Sequence, residues 1–171
     1  SDAYVEAQVG NVTMAASTQT TGDDIRYEAS GEVALGLLAA VDSVSVKAGT
    51  NITDVNSDET TNISGVRTHL EAGGSIGSLD GSAAADTNVD AVDLAVANVE
   101  AVAGTDVYLQ SLQAVIVGGV GAVNTDYERF ASGNTTVTDS DLTGLDGTAG
   151  VVKLKSAGTI TVDEAVQAGT D

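Results

Sequence analysis

The sequence predicts an all-β chain wound as a parallel β-helix, a solenoid of about seven coils with two longer loop excursions. Three observations carry that expectation. Apolar and polar residues alternate along most of the chain. A phrase of strand, small-residue corner and strand recurs as VKAGTNI (46–52), LEAGGSI (70–76), VAGTDVYL (102–109) and KSAGTITV (155–162). Proline is absent, and Asn-Gly or Asp-Gly hairpin pairs are scarce, with only Asp80-Gly81 and Asp146-Gly147, which disfavours a sheet built hairpin by hairpin. An antiparallel sandwich is the competing fold, since it also yields short alternating strands between turns.

In chain order, Val5, Ala7 and Val9 alternate with Glu6 and Gln8, and Ile25, Tyr27 and Ala29 with Arg26 and Glu28. Val44, Val46 and Ala48 alternate with Ser45 and Lys47, and Val66, Thr68, Leu70 and Ala72 with Arg67, His69 and Glu71. A period of two marks a strand with one buried face. It continues through Val92 to Val96, Val107 and Leu109, Val152 and Leu154, and Ile160 and Val162. Residues 90–103 have enough alanine for a short helix, but they alternate too and read first as strand. The glycines at the corners, Gly10, Gly31, Gly49, Gly74, Gly104, Gly133 and Gly158, are expected to supply positive φ angles for sharp turns. Residues 77–90 and 124–150, rich in Gly, Ser, Thr, Asp and Asn, read as the two loops bulging from one side.

Hydrophobic residues make up 42% of the chain, but that fraction rests on Ala and Val. Aromatic residues are 3%, Phe130 is the one phenylalanine and tryptophan is absent, so the expected core is thin. About seven coils at roughly 4.8 Å each give a body on the order of 35 Å long. The formal charge is −19, from 25 acidic against 6 basic residues, which disfavours nucleic acid and anionic membrane surfaces as partners. Without cysteine there is neither a disulfide framework nor a thiolate metal site. The longest apolar runs, at 33–41 and 114–123, fall short of the roughly 20 residues of a membrane-crossing helix. The opening SDAYVEAQVG has no basic and apolar regions of the kind found in a signal peptide.

No residue set suggests catalysis, and the chain is not expected to be an enzyme. His69 is the one histidine, placed by the alternation on the surface between Arg67 and Glu71, so zinc and triad chemistry lack their ligands. Of the adjacent carboxylates Asp23-Asp24, Asp58-Glu59, Asp139 with Asp141, and Asp163-Glu164, most are loop or corner residues with no basic or aromatic companions to bind a sugar. Asp139 and Asp141 are the candidate metal ligands, for calcium together with backbone oxygens, although the spacing of an EF-hand loop is missing there. GGVG at 118–121 lacks the Lys-Ser/Thr ending of a phosphate loop.

The segments LEAGGSIGS (70–78), 91–110, AVIVGGVGAVN (114–124) and 153–171 resemble the repeat region of filamentous-haemagglutinin-type exoproteins and other giant bacterial surface adhesins. The resemblance implies a right-handed parallel β-helix in an extracellular stalk or filament. Neither end carries an evident cap, so the chain is expected to be a single solenoid segment over 1–171, a slice of a longer chain or a subunit that stacks end to end on copies of itself. The alternatives are a module that binds a glycan or host surface through loops 77–90 and 124–150, and a polysaccharide-degrading enzyme.

Overall fold

The computed structural model describes residues 1–56, 58–79, 90–130 and 133–169. Among these the chain forms twenty strands and no helix. In the first half they are β1 (Ala3–Ala7), β2 (Val12–Thr13), β3 (Gln19–Gly22), β4 (Ile25–Ala29), β5 (Val33–Leu35), β6 (Leu37–Ala40), β7 (Ser43–Ala48), β8 (Ile52–Asp54), β9 (Ile63–Ser64) and β10 (Arg67–Ala72). The second half adds β11 (Val92–Ala95), β12 (Asn98–Ala103), β13 (Val107–Ser111), β14 (Val115–Val117), β15 (Val123–Glu128), β16 (Asn134–Asp139), β17 (Leu145–Gly147), β18 (Val152–Ser156), β19 (Ile160–Val162) and β20 (Val166–Ala168). The stretch 90–103 therefore holds the two strands β11 and β12 and no helix, as its alternation indicates.

Three of the four sheets are parallel. A nine-stranded sheet runs β1-β4-β7-β10-β12-β14-β19, with β17 and β20 completing it beside β12. A six-stranded sheet runs β18-β13-β11-β9-β6-β3, and a three-stranded one β2-β5-β8. Among the described residues, antiparallel pairing is confined to β15 and β16, which is the opposite of what a sandwich requires.

Pairing is in register from turn to turn, and the alternation sorts each strand into two faces. On the inner face of the nine-stranded sheet Ile25, Val44, Thr68 and Val99 lie side by side, as do Tyr27, Val46, Leu70 and Ala101, and then Ala29, Ala48, Ala72 and Ala103. Thr68 fits this apolar column because its hydroxyl donates to the Val44 carbonyl at 3.1 Å. A second aliphatic column, Val12, Val33, Ile52, Ile76 and Val107, comes from the three-stranded sheet and the bridges that extend it. With Leu35, Leu38, Ile63 and Leu94 these columns form one buried aliphatic cluster with a single aromatic ring, Tyr27. Each buried Leu, Ile or Val contributes on the order of 1.5–3 kcal/mol, so a core of small residues holds because the columns are many.

The corner glycines are needed for a different reason from the one the sequence suggests. Of the seven, only Gly10 and Gly133 have positive φ. Gly49, Gly73 and Gly104 instead sit one above another, and a Cβ at each would collide with a backbone carbonyl of the preceding turn: Ser30, Gly49 and Gly73 respectively. Close backbone approach, not left-handed geometry, excludes a side chain there.

Of the two expected loops, one lies largely outside the described residues and the other is corrected. Of the 77–90 excursion, residues 80–89 lie outside the described residues. The 124–150 segment is not a loop, because it holds β15, β16 and β17. β14 and β17 both lie beside β12, with Val117 against Val99 and Leu145 against Ala101. One strand's place is thus shared by two pieces, and residues 118–144 are an insertion that leaves from the middle of a strand. The next turn repeats the split, with β19 beside β14 and β20 beside β17. Positive φ is concentrated at this insertion: Gly118, Gly119 and Gly121 turn the chain out of the sheet and Gly144 brings it back. The GGVG run is an exit bend.

Candidate functional site

The inserted β15–β16 hairpin folds back over the outer face of the nine-stranded sheet and determines what that face exposes. At one level of the sheet, Tyr4, Arg26, Ser45, His69 and Glu100 lie side by side on neighbouring strands. Alternation assigns all five to the solvent side. Arg26, Ser45, His69 and Glu100 are nevertheless buried. His69 is therefore not a surface residue, since the covering excursion is remote in sequence and leaves no trace in the local pattern.

Arg26 and His69 of this layer each meet a carboxylate. The Arg26 guanidinium donates from Nε to Asp139 Oδ2 at 2.7 Å and from a terminal nitrogen to Oδ1 at 2.9 Å, a two-pronged bond across the hairpin junction. Ser45 donates to the same Oδ2 at 2.6 Å, and Arg26 also reaches Glu28 at 2.6 Å. Burial opposes the charged form of both partners, yet the bonds to Arg26 and Ser45 hold the Asp139 carboxyl below its usual range, and those to Asp139 and Glu28 raise Arg26. His69 Nε2 donates to Glu71 at 2.9 Å, and Glu71 also takes Lys47 at 2.8 Å. The His69 bond leads in drawing Glu71 down to about 2, against burial and with help from Lys47.

Glu100 fastens both feet of the insertion. It accepts from the Val120 amide at 2.8 Å and from the Leu142 amide at 3.2 Å, while burial raises its pKa. Arg67 holds the Val120 carbonyl at 3.0 Å. Of the two residues read from sequence as calcium ligands, Asp139 is buried and has both oxygens bonded, and Asp141 is exposed.

Where the hairpin overhangs β1 it encloses a groove of about 1100 Å³ that includes Tyr4, Glu6, Asp126, Tyr127, Arg129 and Phe130 in its walls. Tyr4 and Tyr127 stack with ring centroids 4.3 Å apart and planes inclined by 10°. Arg26 lies 5.4 Å from the Tyr4 ring on which it packs. Burial, then the hydroxyl's bond to Glu6, raises Tyr4 to about 12. Phe130 is fully exposed at the groove rim. The sequence hides this cluster because Tyr4 and Tyr127 lie far apart along the chain.

No protein-family model matches this chain, and no curated protein or solved structure matches it either. The comparisons thus identify no exoprotein family.

Proposed function

We propose that the chain is a segment of a parallel β-solenoid that serves as a rigid structural and adhesive element of a secreted bacterial surface protein. The supporting observation is the unbroken register in which Ala3, Ile25, Val44, Thr68 and Val99 sit beside one another on successive turns. Stacking of that kind gives length and stiffness, because each turn is bonded to the one before and after it. The extracellular setting and the adhesive role come from the repeat resemblance.

End-to-end joining of copies belongs to the same reading. Among the described residues β1 pairs on one side only, with β4, and β18, β19 and β20 each have one partner strand. Val162 and Val166 extend the inner columns of Val117 and Leu145 but stand exposed, an apolar edge open to another segment.

The groove favours a second reading, a glycan- or host-surface-binding module, since a stacked tyrosine pair beside an exposed phenylalanine offers ring faces to an uncharged ligand. A glycan array probed with the wild type and Tyr127→Ala separates the two. The structural reading expects no glycan retained by either protein, and short rods in electron micrographs that lengthen with concentration. Retention by the wild type and its loss in Tyr127→Ala, at unchanged melting temperature, would move the function to the groove.

A further inference from the structure

Residues 54–62 read DVNSDETTN, with oxygen-bearing side chains at every second position: Asp54, Asn56, Asp58, Thr60 and Asn62. A calcium loop presents its first, third, fifth, seventh and ninth ligands at this spacing. Two parts of the pattern are missing, because Glu59 stands where such a loop has glycine and Gly65 where it has the closing glutamate. The fold brings a carboxylate to the place from the next turn.

That carboxylate is Asp93 on β11. It is fully buried, and neither of its oxygens has a hydrogen-bond partner. Asp54 Oδ2 is likewise buried and unpartnered. Asn62 links the two, donating to Asp54 Oδ1 at 2.6 Å and accepting the Asp93 amide at 2.8 Å. Three buried carboxylate oxygens without donors at one corner are costly unless a cation or proton satisfies them. The surrounding charge makes matters worse: burial first, then the carboxylates of Glu59, Asp54 and Asp58, outweigh Lys155 and push Asp93 up to about 7.

We propose that this corner is a calcium site, with the buried Asp93 and the half-buried Asp54 as ligands and Asp58 as a third. All the available donors are hard oxygens, which suits calcium and not a softer transition metal. Among the described residues no three acidic or imidazole groups already converge on one point. Binding therefore includes inward movement of Asp58, whose carboxylate is now turned to its own loop and accepts the Thr60 amide at 2.9 Å.

Calorimetric titration of the full chain with calcium chloride, at fixed ionic strength and neutral pH, tests this. One saturable site is expected, with a dissociation constant below about 1 mM and a rise in melting temperature that equimolar magnesium does not reproduce. Asp93→Asn and Asp54→Asn should each weaken the affinity at least about tenfold, whereas Asp141→Asn should leave it unchanged. Folding of Asp93→Asn is checked in chelator, where removing an unpaired buried carboxylate should raise its melting temperature above the wild type's. No saturable heat up to about 5 mM calcium, beyond the range of extracellular calcium modules, overturns the proposal. So does unaltered affinity in folded Asp93→Asn.

Discussion

Replacing Arg26 with alanine is expected to destabilise the protein by about 3–5 kcal/mol, because it strands the Asp139 carboxylate in a buried layer without its cation. Arg26 fills the junction between sheet and hairpin and makes two bonds to Asp139, at 2.7 and 2.9 Å. Its loss also removes the guanidinium on which Tyr4 packs, so the Tyr4–Tyr127 stack loses one wall. Chemical denaturation of Arg26→Ala should show the loss. The paired variant Arg26→Met with Asp139→Leu should recover most of it, since a buried ion pair replaced by apolar groups is often neutral. A similar loss in the paired variant would show that the interaction itself, and not the stranded charge, stabilises the junction.

The same layer fixes the response to acid. Asp139 lies below its ordinary pKa and Glu71 is drawn down to about 2. A depressed carboxylate contributes stability above its unfolded pKa and loses it as pH falls through the folded value. The wild type should therefore lose stability from about pH 4 downward, and the paired variant, which has no carboxylate at position 139, less steeply.

Gly73→Val is expected to cost roughly 3 kcal/mol or more, at the upper end of what overpacking does. An added Cβ at Gly73 would overlap the Gly49 carbonyl, and Gly104 leans on Gly73 in the same way, so the strain spreads to both neighbouring turns. The atom in the way is backbone, which no rotamer change relieves. Gly121→Ala is the control. Its Cβ meets nothing within 4 Å, but its φ of +67° is unfavourable for a side chain, so the cost should be only about 1–2 kcal/mol. Comparable melting temperatures for the two variants would refute the reading of the glycine column as a site of close approach.

Much of the parallel arrangement is legible in one dimension because its signals are local. Val44, Val46 and Ala48 alternate, and the phrase that begins at Val46 returns around Leu70 and Val102 with the same small residues. Of the corner glycines read from the sequence, Gly49 and Gly104 stand in the close-packed column, but its middle member is Gly73 and not Gly74, and the carbonyl that excludes a side chain at Gly73 belongs to another turn and is invisible to a local pattern. The covered face is not legible. Ser45 and His69 obey the alternation of solvent-facing residues, and the hairpin that buries them is joined to the sheet by a contact between Arg26 and Asp139. Neither residue differs in its local pattern from the other scattered polar positions. The corner at Asp54 lies between these cases: the every-second-residue spacing is present in the sequence, but its closing carboxylate, Asp93, comes from the following turn.

Spin-label distances along the outer face of the nine-stranded sheet report whether successive turns stack in parallel register. Glu6, Glu28, Lys47, Glu71, Val102, Asp146 and Gln167 occupy one level on seven adjacent strands. With one label at Glu6, parallel stacking gives a separation of about 24 Å to a label at Asp146 and about 29 Å to one at Gln167, one strand spacing farther. A Gln167 label no farther from Glu6 than the Asp146 label, as strands folded back antiparallel would give, would contradict it.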